Sequence, residues 1–400
     1  MTTPAINPAW RPRGALGWLL TLVAAVLALA TGALAFYMLC PSDWNGPGRL
    51  GALALFFPLH LLPVALGFGC LGLLAWRLRA KLAAGLLVAA ALACLLLGLW
   101  PSLAVWQLAR EEGVPLSLAT YRAHAGSLNL GAPQPERSLA YATLADGSEL
   151  LLDLWRADGA AAGSPRPAIV FVHGGAWTHG TRSSMPAWNR WLNGLGYDVF
   201  DVEYRLAPPA RWQEEVGDVK CAIGWVAAHA EEYGIDPTRI SAMGYSAGGN
   251  LAMLAAYSLG DARLPPSCPV AEAPLRSVVN LYGPGDMGLL YDSSGSQEYI
   301  RDALRKYIGG TPQQYAERYR LLSPVQHVSA RTPPTISFLG RSDRIIPRDQ
   351  AETLDQAFAR AGVRHETWLL PASDHGFDAS WGSFPAQFAR AKLEAFLRRH

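Results

Sequence analysis

Three long stretches without a charged side chain constrain the fold of this chain most strongly. Residues 14–40, 50–76 and 82–109 contain no Asp, Glu, Lys or Arg. A helix needs about 20 apolar residues to cross the hydrocarbon core of a bilayer, and each stretch is longer than that. The sequence therefore predicts three transmembrane helices, and residues 1–109 are assigned to a membrane region.

The remainder of the chain has the composition of a soluble domain. Only 16% of the 400 residues are charged, and the shortage is concentrated in the apolar stretches. The formal net charge is +2 without a basic run, which argues against a nucleic-acid partner. The length suggests about two units. We predict a linker over residues 110–136 and a second domain over residues 137–400.

Positive charges predict the orientation of the membrane region. The N-terminal tail carries Arg11 and Arg13, and the loop at residues 77–81 carries three Arg or Lys residues. The loop at residues 41–49 carries one Asp and one Arg. By the positive-inside rule the tail and the 77–81 loop are cytoplasmic. Three crossings then place the second domain outside the cytoplasm, in the periplasm or on the outer face.

Two features of the apolar stretches have a second interpretation. The first stretch could instead be a signal peptide, because Arg11 and Arg13 precede it and its residues Ala33, Leu34 and Ala35 resemble a cleavage site. Its length favours an uncleaved anchor, and cleavage would leave the predicted orientation unchanged.

His60 is an intramembrane candidate for a functional residue. No partner charge is visible, so a hydrogen bond to a neighbouring helix or a place near the interface is favoured.

The cysteines leave one question open. The chain has five cysteines and no C-x-x-C pair, which argues against a zinc or thioredoxin-type site. Cys221 lies among apolar residues of a predicted helix, where a buried thiol is an ordinary interpretation. A disulfide with Cys268 requires an extracytoplasmic domain.

Strands and helices alternate after residue 137. Continuous apolar, β-branched runs are typical of buried parallel strands, and apolar residues at helical spacing separate them. The predicted strands are 148–157, 167–173, 198–204, 236–246, 276–282, 334–340 and 366–371, and the predicted helices are 212–234, 247–259, 348–361 and 383–398. This alternation predicts an α/β fold with a mostly parallel sheet covered by helices on both faces.

The sequence GYSAGGN, residues 244–250, lies where a predicted strand runs into a helix. A G-x-S-x-G pattern alone is weak, but in this context it favours a nucleophile elbow. Its small residues let the strand and the helix approach each other, and the turn presents the Ser246 hydroxyl at the carboxyl edge of the sheet. The following helix N-terminus stabilises negative charge there. A glycine-rich packing turn is the alternative.

A serine needs a base, an orienting acid and oxyanion donors to act as a nucleophile. Asp343 and His375 each directly follow a predicted strand, which places them at the same edge of the sheet. Gly174 and Gly175 follow another strand. Their amides, together with that of Ala247, are predicted as oxyanion donors.

Other residues are weaker candidates for these roles. His173 precedes the serine in the chain, so a structural hydrogen bond is favoured over a role as the base. Asp374, adjacent to the predicted base, and Asp349, in the following helix, are rivals for the acid. Trp177 and Tyr245 are predicted substrate contacts, with core packing as the alternative.

From about residue 137 to 400 the chain resembles α/β-hydrolase esterases of the hormone-sensitive-lipase-like and carboxylesterase branches. The resemblance rests on HGGAW, VEYRLAPPARW, YGIDPTRISAMGYSAGGNLA, SDRIIP and DHGF, and on the order Ser, Asp, His. It implies an α/β-hydrolase fold and a triad of Ser246, Asp343 and His375 that cleaves carboxylic esters through an acyl-enzyme, without a metal or organic cofactor. Ala176 departs from the third glycine of much of the branch, which concerns the size of the pocket.

Residues 284–330 form a long insertion between strands. Such insertions often cap the site, so we predict a partly helical cap that sets substrate choice. The sequence therefore predicts a membrane-anchored serine esterase for small or lipid-like esters. An amidase, peptidase or acyltransferase on the same triad, and a non-catalytic membrane scaffold, remain as alternatives.

Overall fold

The computed structural model describes residues 12, 14–40, 46–124, 134–157, 164–293 and 298–400. The chain divides into two compact units, Met1–Leu116 with Pro371–Ser373 and Ser117–Leu370 with Asp374–His400. The predictions for Arg11 and Arg13, and parts of those for the 41–49 loop and the 110–136 linker, lie outside the described residues.

The first unit is helical. Its helices are α1 (Gly14–Leu39), α2 (Gly48–Phe56), α3 (Leu61–Arg77) and α4 (Lys81–Glu111). Three segments, Gly14–Leu39, Pro58–Arg77 and Lys81–Glu111, are long and apolar enough to cross a membrane. Large apolar side chains such as Leu29 and Leu66 are exposed on these segments.

The second predicted span is not one continuous helix. A short 3-10 turn, Pro58–His60, separates α2 from α3. Pro58 has no N–H to donate, and its ring crowds the preceding turn, so α2 ends at Phe56. The candidate span therefore begins at Pro58 rather than near residue 50.

The second unit is built around an eight-stranded sheet. Its strands are β1 (Arg137–Thr143), β2 (Glu149–Trp155), β3 (Arg166–Val172), β4 (Asp198–Val202), β5 (Ile235–Tyr245), β6 (Val278–Leu281), β7 (Thr335–Gly340) and β8 (His365–Leu370). The strand order is β1-β2-β4-β3-β5-β6-β7-β8. The pairs β1–β2 and β2–β4 are antiparallel, and all other neighbours are parallel. The predicted mostly parallel sheet is confirmed.

Helices connect the strands. They are α5 (Leu118–Ala123), α6 (Pro186–Gly194), α7 (Trp212–Ala228), α8 (Ala230–Tyr233), α9 (Ala247–Tyr257), α10 (Met287–Ser293), α11 (Glu298–Ile308), α12 (Ala316–Leu321), α13 (Asp349–Ala361) and α14 (Phe384–Arg399). The helix predicted over residues 212–234 is divided into α7 and α8. Gly234, in the left-handed conformation, caps the C-terminus of α8. No sequence prediction covered β1, α5 or α6, and α5 lies within the predicted linker.

A disulfide joins Cys221 on α7 to Cys268, with the two Cα atoms 5.5 Å apart. Cys268 lies in the connection between α9 and β6. Cys221 and Cys268 are therefore paired, which the sequence alone left open.

The insertion over residues 284–330 is partly helical, as predicted. It contains α10, α11, α12 and a 3-10 turn at Pro324–Gln326, and residues 294–297 of it lie outside the described residues. Asn250 ties both ends of the insertion to α9, because its Nδ2 donates to Pro284 O at 3.1 Å and to Leu322 O at 3.3 Å.

Candidate active site

Ser246 lies in the sharp turn between β5 and α9. Its φ is 54° and its ψ is −125°, a conformation that residues other than glycine adopt rarely. The turn is held from both sides, since Ser246 N donates to Leu281 O at 2.9 Å and Gly249 N donates to Ser246 O at 3.0 Å. The backbone thus holds Ser246 in a strained conformation at the strand-to-helix turn, the position predicted for a nucleophile elbow.

Gly248 allows this turn to sit close to the neighbouring strand. A Cβ at this position would overlap the carbonyl oxygen of Val172, at the end of β3. The first turn of α9 therefore approaches the β3 backbone more closely than any side chain would permit. This close approach explains why the motif requires a glycine two residues after the serine.

The structure brings together the three residues predicted as a triad. His375 Nε2 lies 3.0 Å from Ser246 Oγ, and His375 Nδ1 lies 2.9 Å from Asp343 Oδ2. Asp343 follows β7 and His375 follows β8, so parallel strand ends place both at the edge where β5 presents the serine. With a neutral imidazole, Nδ1–H donates to Asp343 and Nε2 is free to accept the serine proton.

Asp343 is held by the backbone of its own turn. Its Oδ1 accepts hydrogen bonds from Ile345 N at 2.8 Å and Ile346 N at 2.7 Å. The rival Asp374 points elsewhere: its carboxylate forms a buried ion pair with the Arg344 side chain, and its Oδ1 accepts the backbone N–H groups of Arg344 at 3.0 Å and His375 at 2.8 Å. The other rival, Asp349, begins α13.

Electrostatics around His375 favour its charged form. Burial lowers the pKa of the imidazole, but the charge and hydrogen bond of Asp343, with the charges of Asp374 and Asp378, outweigh it. The pKa of His375 is therefore raised above its ordinary value of 6.5. Burial raises the pKa of Asp374 to about 6, while the Arg344 guanidinium acts in the opposite direction.

The turn after β3 lies against the serine. A Cβ on Gly174 would come within 2.9 Å of Ser246 Cβ. Gly175, Ala176 and Trp177 all have positive φ, of 129°, 50° and 60°. Among the described residues, the amides of Gly175, Ala176 and Ala247 donate to no protein acceptor. Amides without a partner beside a serine hydroxyl are able to receive a developing oxyanion.

The predicted donors differ in their surroundings. The Gly174 amide lies beside the Tyr245 hydroxyl, whereas in the described part of the chain the amides of Gly175 and Ala247 have no protein acceptor. Ala176 is a further candidate donor that the sequence analysis missed. The sequence linked Ala176 only to the size of the pocket, because no sequence pattern indicates the run of positive φ values that leaves its amide without an acceptor among the described residues.

His173 makes structural contacts of the kind that the sequence favoured over a role as the base. Burial lowers its pKa to about 4, so the ring is neutral. Its Nδ1 lies 2.8 Å from Gly174 O, and its ring stacks on Tyr204 with centroids 4.3 Å apart. The Tyr204 hydroxyl also donates to His173 O at 2.9 Å. These contacts fix the first residue of the turn.

The two predicted substrate contacts occupy different surroundings. Trp177 is buried, and its ring lies parallel to that of Tyr307 on α11, with centroids 5.1 Å apart. Trp177 therefore links the turn after β3 to the insertion. Tyr245 is half-buried, and its ring lies 5.9 Å from that of Phe171.

A family model named BD-FAE matches residues 152–358, more than half of the chain. The chain belongs to the BD-FAE family. The matched segment includes Ser246 and Asp343 and ends before His375. Its fold is that of the α/β-hydrolase carboxylesterases, as the sequence resemblance implied.

Relatives of this BD-FAE protein are named as esterases. It is 32% identical over 261 residues to "Esterase LipC" of Mycobacterium tuberculosis, covering 64% of this chain and 63% of the relative. It is 32% identical over 306 residues to "Probable carboxylic ester hydrolase LipM" of the same organism, covering 75% and 67%. The chain therefore spans about two thirds or less of the length of these relatives.

A solved structure has the same fold. The thermophilic esterase Est2 of Thermogutta terrifontis is 26% identical and superposes with a TM-score of 0.56. The match covers 67% of this chain and 94% of that chain. The similarity thus accounts for nearly all of that esterase and leaves about a third of the BD-FAE protein uncovered.

Proposed function

We propose that this BD-FAE protein is a membrane-anchored serine hydrolase that cleaves carboxylic esters. The observation that carries the proposal is the continuous path from Asp343 through His375 to Ser246, with contacts of 2.9 Å and 3.0 Å. A base within hydrogen-bond reach of the hydroxyl, itself oriented by a buried carboxylate, is what nucleophilic catalysis by serine requires.

The reaction proceeds through an acyl-enzyme. Ser246 Oγ attacks the ester carbonyl while its proton passes to His375 Nε2. Asp343 stabilises the imidazolium, and amides of the turn after β3 and of Ala247 donate to the oxyanion. The tetrahedral intermediate collapses as His375 gives the proton to the leaving alcohol. Water then attacks the acyl-enzyme and passes a proton to His375, which returns it to Ser246 Oγ as the Oγ–acyl bond breaks and the carboxylic acid leaves.

Esters are the proposed substrates because the relatives are named as esterases. We assign Trp177 and Tyr245 to the lining of the pocket, and the insertion with α11 to a cap that selects the acyl or alcohol group. The contact between Trp177 and Tyr307 supports this assignment, since it joins the cap to the turn that borders Ser246.

A panel of substrates tests the activity. The full-length protein in detergent is assayed with esters graded in acyl length, matched amides and added alcohol acceptors. We expect ester hydrolysis that Ser246→Ala abolishes. Amide cleavage or acyl transfer that exceeds hydrolysis would replace the proposal with an amidase or acyltransferase. Absence of turnover and of labelling by a fluorophosphonate would indicate a non-catalytic scaffold.

We further propose that residues 14–111 anchor the chain and that the catalytic unit is extracytoplasmic. Three helical segments are long and apolar enough to span a bilayer. The excess of positive charge at residues 77–81 supports a cytoplasmic loop by the positive-inside rule. The Cys221–Cys268 disulfide supports the same orientation, because disulfides persist mainly in oxidising compartments.

Protease accessibility tests this orientation. In spheroplasts, if the source is bacterial, added protease should digest the catalytic unit and spare the 77–81 loop. Replacing Arg77, Arg79 and Lys81 with neutral residues should weaken the preference for this orientation. Protection of the catalytic unit until the inner membrane is disrupted would contradict it.

A further inference from the structure

A buried group of three side chains lies beside His375 and has no part in the triad. The Tyr282 ring contacts the His375 ring edge to face, with centroids 4.7 Å apart at an interplanar angle of 65°. The Tyr282 hydroxyl donates to Asp378 Oδ1 at 2.8 Å, and Trp188 Nε1 donates to Asp378 Oδ2 at 2.6 Å. Tyr282, Asp378 and Trp188 are all buried.

Separate elements hold the three side chains in place. Tyr282 directly follows β6 with a φ of 43°, and its N–H donates to Phe338 O on β7 at 2.7 Å. Trp188 lies on α6 and packs edge-on against Trp381, with ring centroids 5.3 Å apart. The Asp378 carboxylate is therefore fixed at both oxygens by rigid aromatic donors.

Asp378 differs from the other acids near the imidazole. The charge of Asp374 is paired directly with Arg344, and Asp343 is the bonded partner of the base. Within the described residues, Asp378 forms no ion pair and is bonded only by neutral donors. Its charge is thus left to act on its surroundings.

Several titratable and charged groups surround Asp378 and interact with its carboxylate. Burial raises the pKa of Asp378, and the hydrogen bonds from Trp188 and Tyr282 and the charge of His375 oppose that effect. Arg390 on α14 also interacts with it electrostatically, although burial lowers the pKa of that guanidinium to about 10. The Tyr245 hydroxyl is a further neighbour, and its pKa is raised mainly by burial.

We propose that Asp378, acting through Tyr282, is a positioning residue for His375. The inference rests on the proposed function. The hydrogen bond from Tyr282 to Asp378 holds the tyrosine ring against the imidazole, which limits rotation of His375 out of the line from Asp343 to Ser246. When His375 accepts the serine proton, the Asp378 carboxylate adds its negative charge to that of Asp343 and stabilises the imidazolium.

The test compares two variants of the full-length protein in detergent. Asp378→Asn removes the charge at nearly constant shape, and Tyr282→Phe removes the hydrogen bond but keeps the ring. The readouts are the pH dependence of kcat/KM for a short-chain ester, the pH dependence of fluorophosphonate labelling at Ser246, and the melting temperature. Both kinetic readouts report the apparent pKa of the base, which packing alone does not set.

We expect Asp378→Asn to lower that apparent pKa by roughly 0.5–1 unit. It should lower kcat/KM about tenfold, the lower end of what outer partners of functional histidines contribute in metal sites. Tyr282→Phe should lower kcat by less and keep the pKa closer to that of the wild type. The matched control is Asp201→Asn, at another buried carboxylate, which accepts from Asn189 at 2.8 Å; it should leave the pKa unchanged.

An unchanged pKa in Asp378→Asn, with only a lower melting temperature, would overturn the inference and leave a structural role. If Asp378→Asn fails to fold, Tyr282→Phe decides the question, because unchanged kcat in that variant would overturn it. Failure of the wild type to label at Ser246 would instead refute the proposed function, and the inference with it.

Discussion

Replacement of Asp343 by Asn should reverse the hydrogen-bonding direction at Nδ1 of the His375 imidazole. The carboxylate Oδ1 accepts two backbone hydrogen bonds, from Ile345 N at 2.8 Å and Ile346 N at 2.7 Å. An Asn side chain must keep its oxygen at that position, because turning its amide there would leave two buried N–H groups facing a donor. Its NH₂ group is then placed where Oδ2 now meets His375 Nδ1.

The magnitude follows from this constraint. Each buried donor left without an acceptor costs about 1–3 kcal/mol, so the flipped amide is disfavoured by roughly 2–6 kcal/mol. The NH₂ group requires His375 Nδ1 to accept, which moves the ring proton to Nε2. In that tautomer Nε2 cannot accept the proton of Ser246. We expect Asp343→Asn to lower kcat by roughly 10²–10⁴-fold, as in other triads.

Asp374→Asn is the matched comparison. Its carboxylate pairs with Arg344, and both side chains are fully buried, so its loss should cost about 3–5 kcal/mol of folding free energy and much less in kcat. Steady-state hydrolysis of a short-chain ester and thermal unfolding separate the two effects. A larger loss of kcat in Asp374→Asn than in Asp343→Asn would refute the assignment of the acid.

Two further results are expected. The wild-type kcat/KM should fall as pH decreases through an apparent pKa above 6.5, because the raised pKa of His375 leaves less neutral base at lower pH; a rate profile with its acidic limb below 6.5 would contradict the electrostatics. Replacing Cys221 and Cys268 together by Ala should lower the free energy of unfolding by about 4 kcal/mol, from the loop entropy of a 47-residue separation. Unchanged urea denaturation would show that the disulfide does not stabilise the unit.

The strands that carry the site could be predicted because their signals are local. The runs before Ser246, Asp343 and His375 are apolar and end at polar residues, so strand ends alone place all three at one edge. By contrast β1 has only one buried side chain, that of Tyr141, and lacks the apolar run that marks a buried strand. Pro58 marked the break in the second span, but apolar composition outweighed it in the sequence analysis.

Side-chain direction could not be predicted in the same way. Asp343 and Asp374 both lie at strand ends near the base, and only the structure shows that one meets the imidazole and the other Arg344. The group of Trp188, Tyr282 and Asp378 is assembled from three distant parts of the chain. No motif links such residues, because their contacts depend on how α6, β6 and the loop after β8 pack.

Covalent labelling tests directly whether Ser246 is the nucleophile. The full-length protein is treated with a fluorophosphonate, digested and analysed by mass spectrometry, alongside Ser246→Ala and its ester hydrolysis. We expect a single adduct on the peptide that contains Ser246, no adduct in the variant, and a kcat lower by roughly 10⁴–10⁶-fold with an unchanged melting transition. Labelling and hydrolysis that persist in Ser246→Ala would contradict the account.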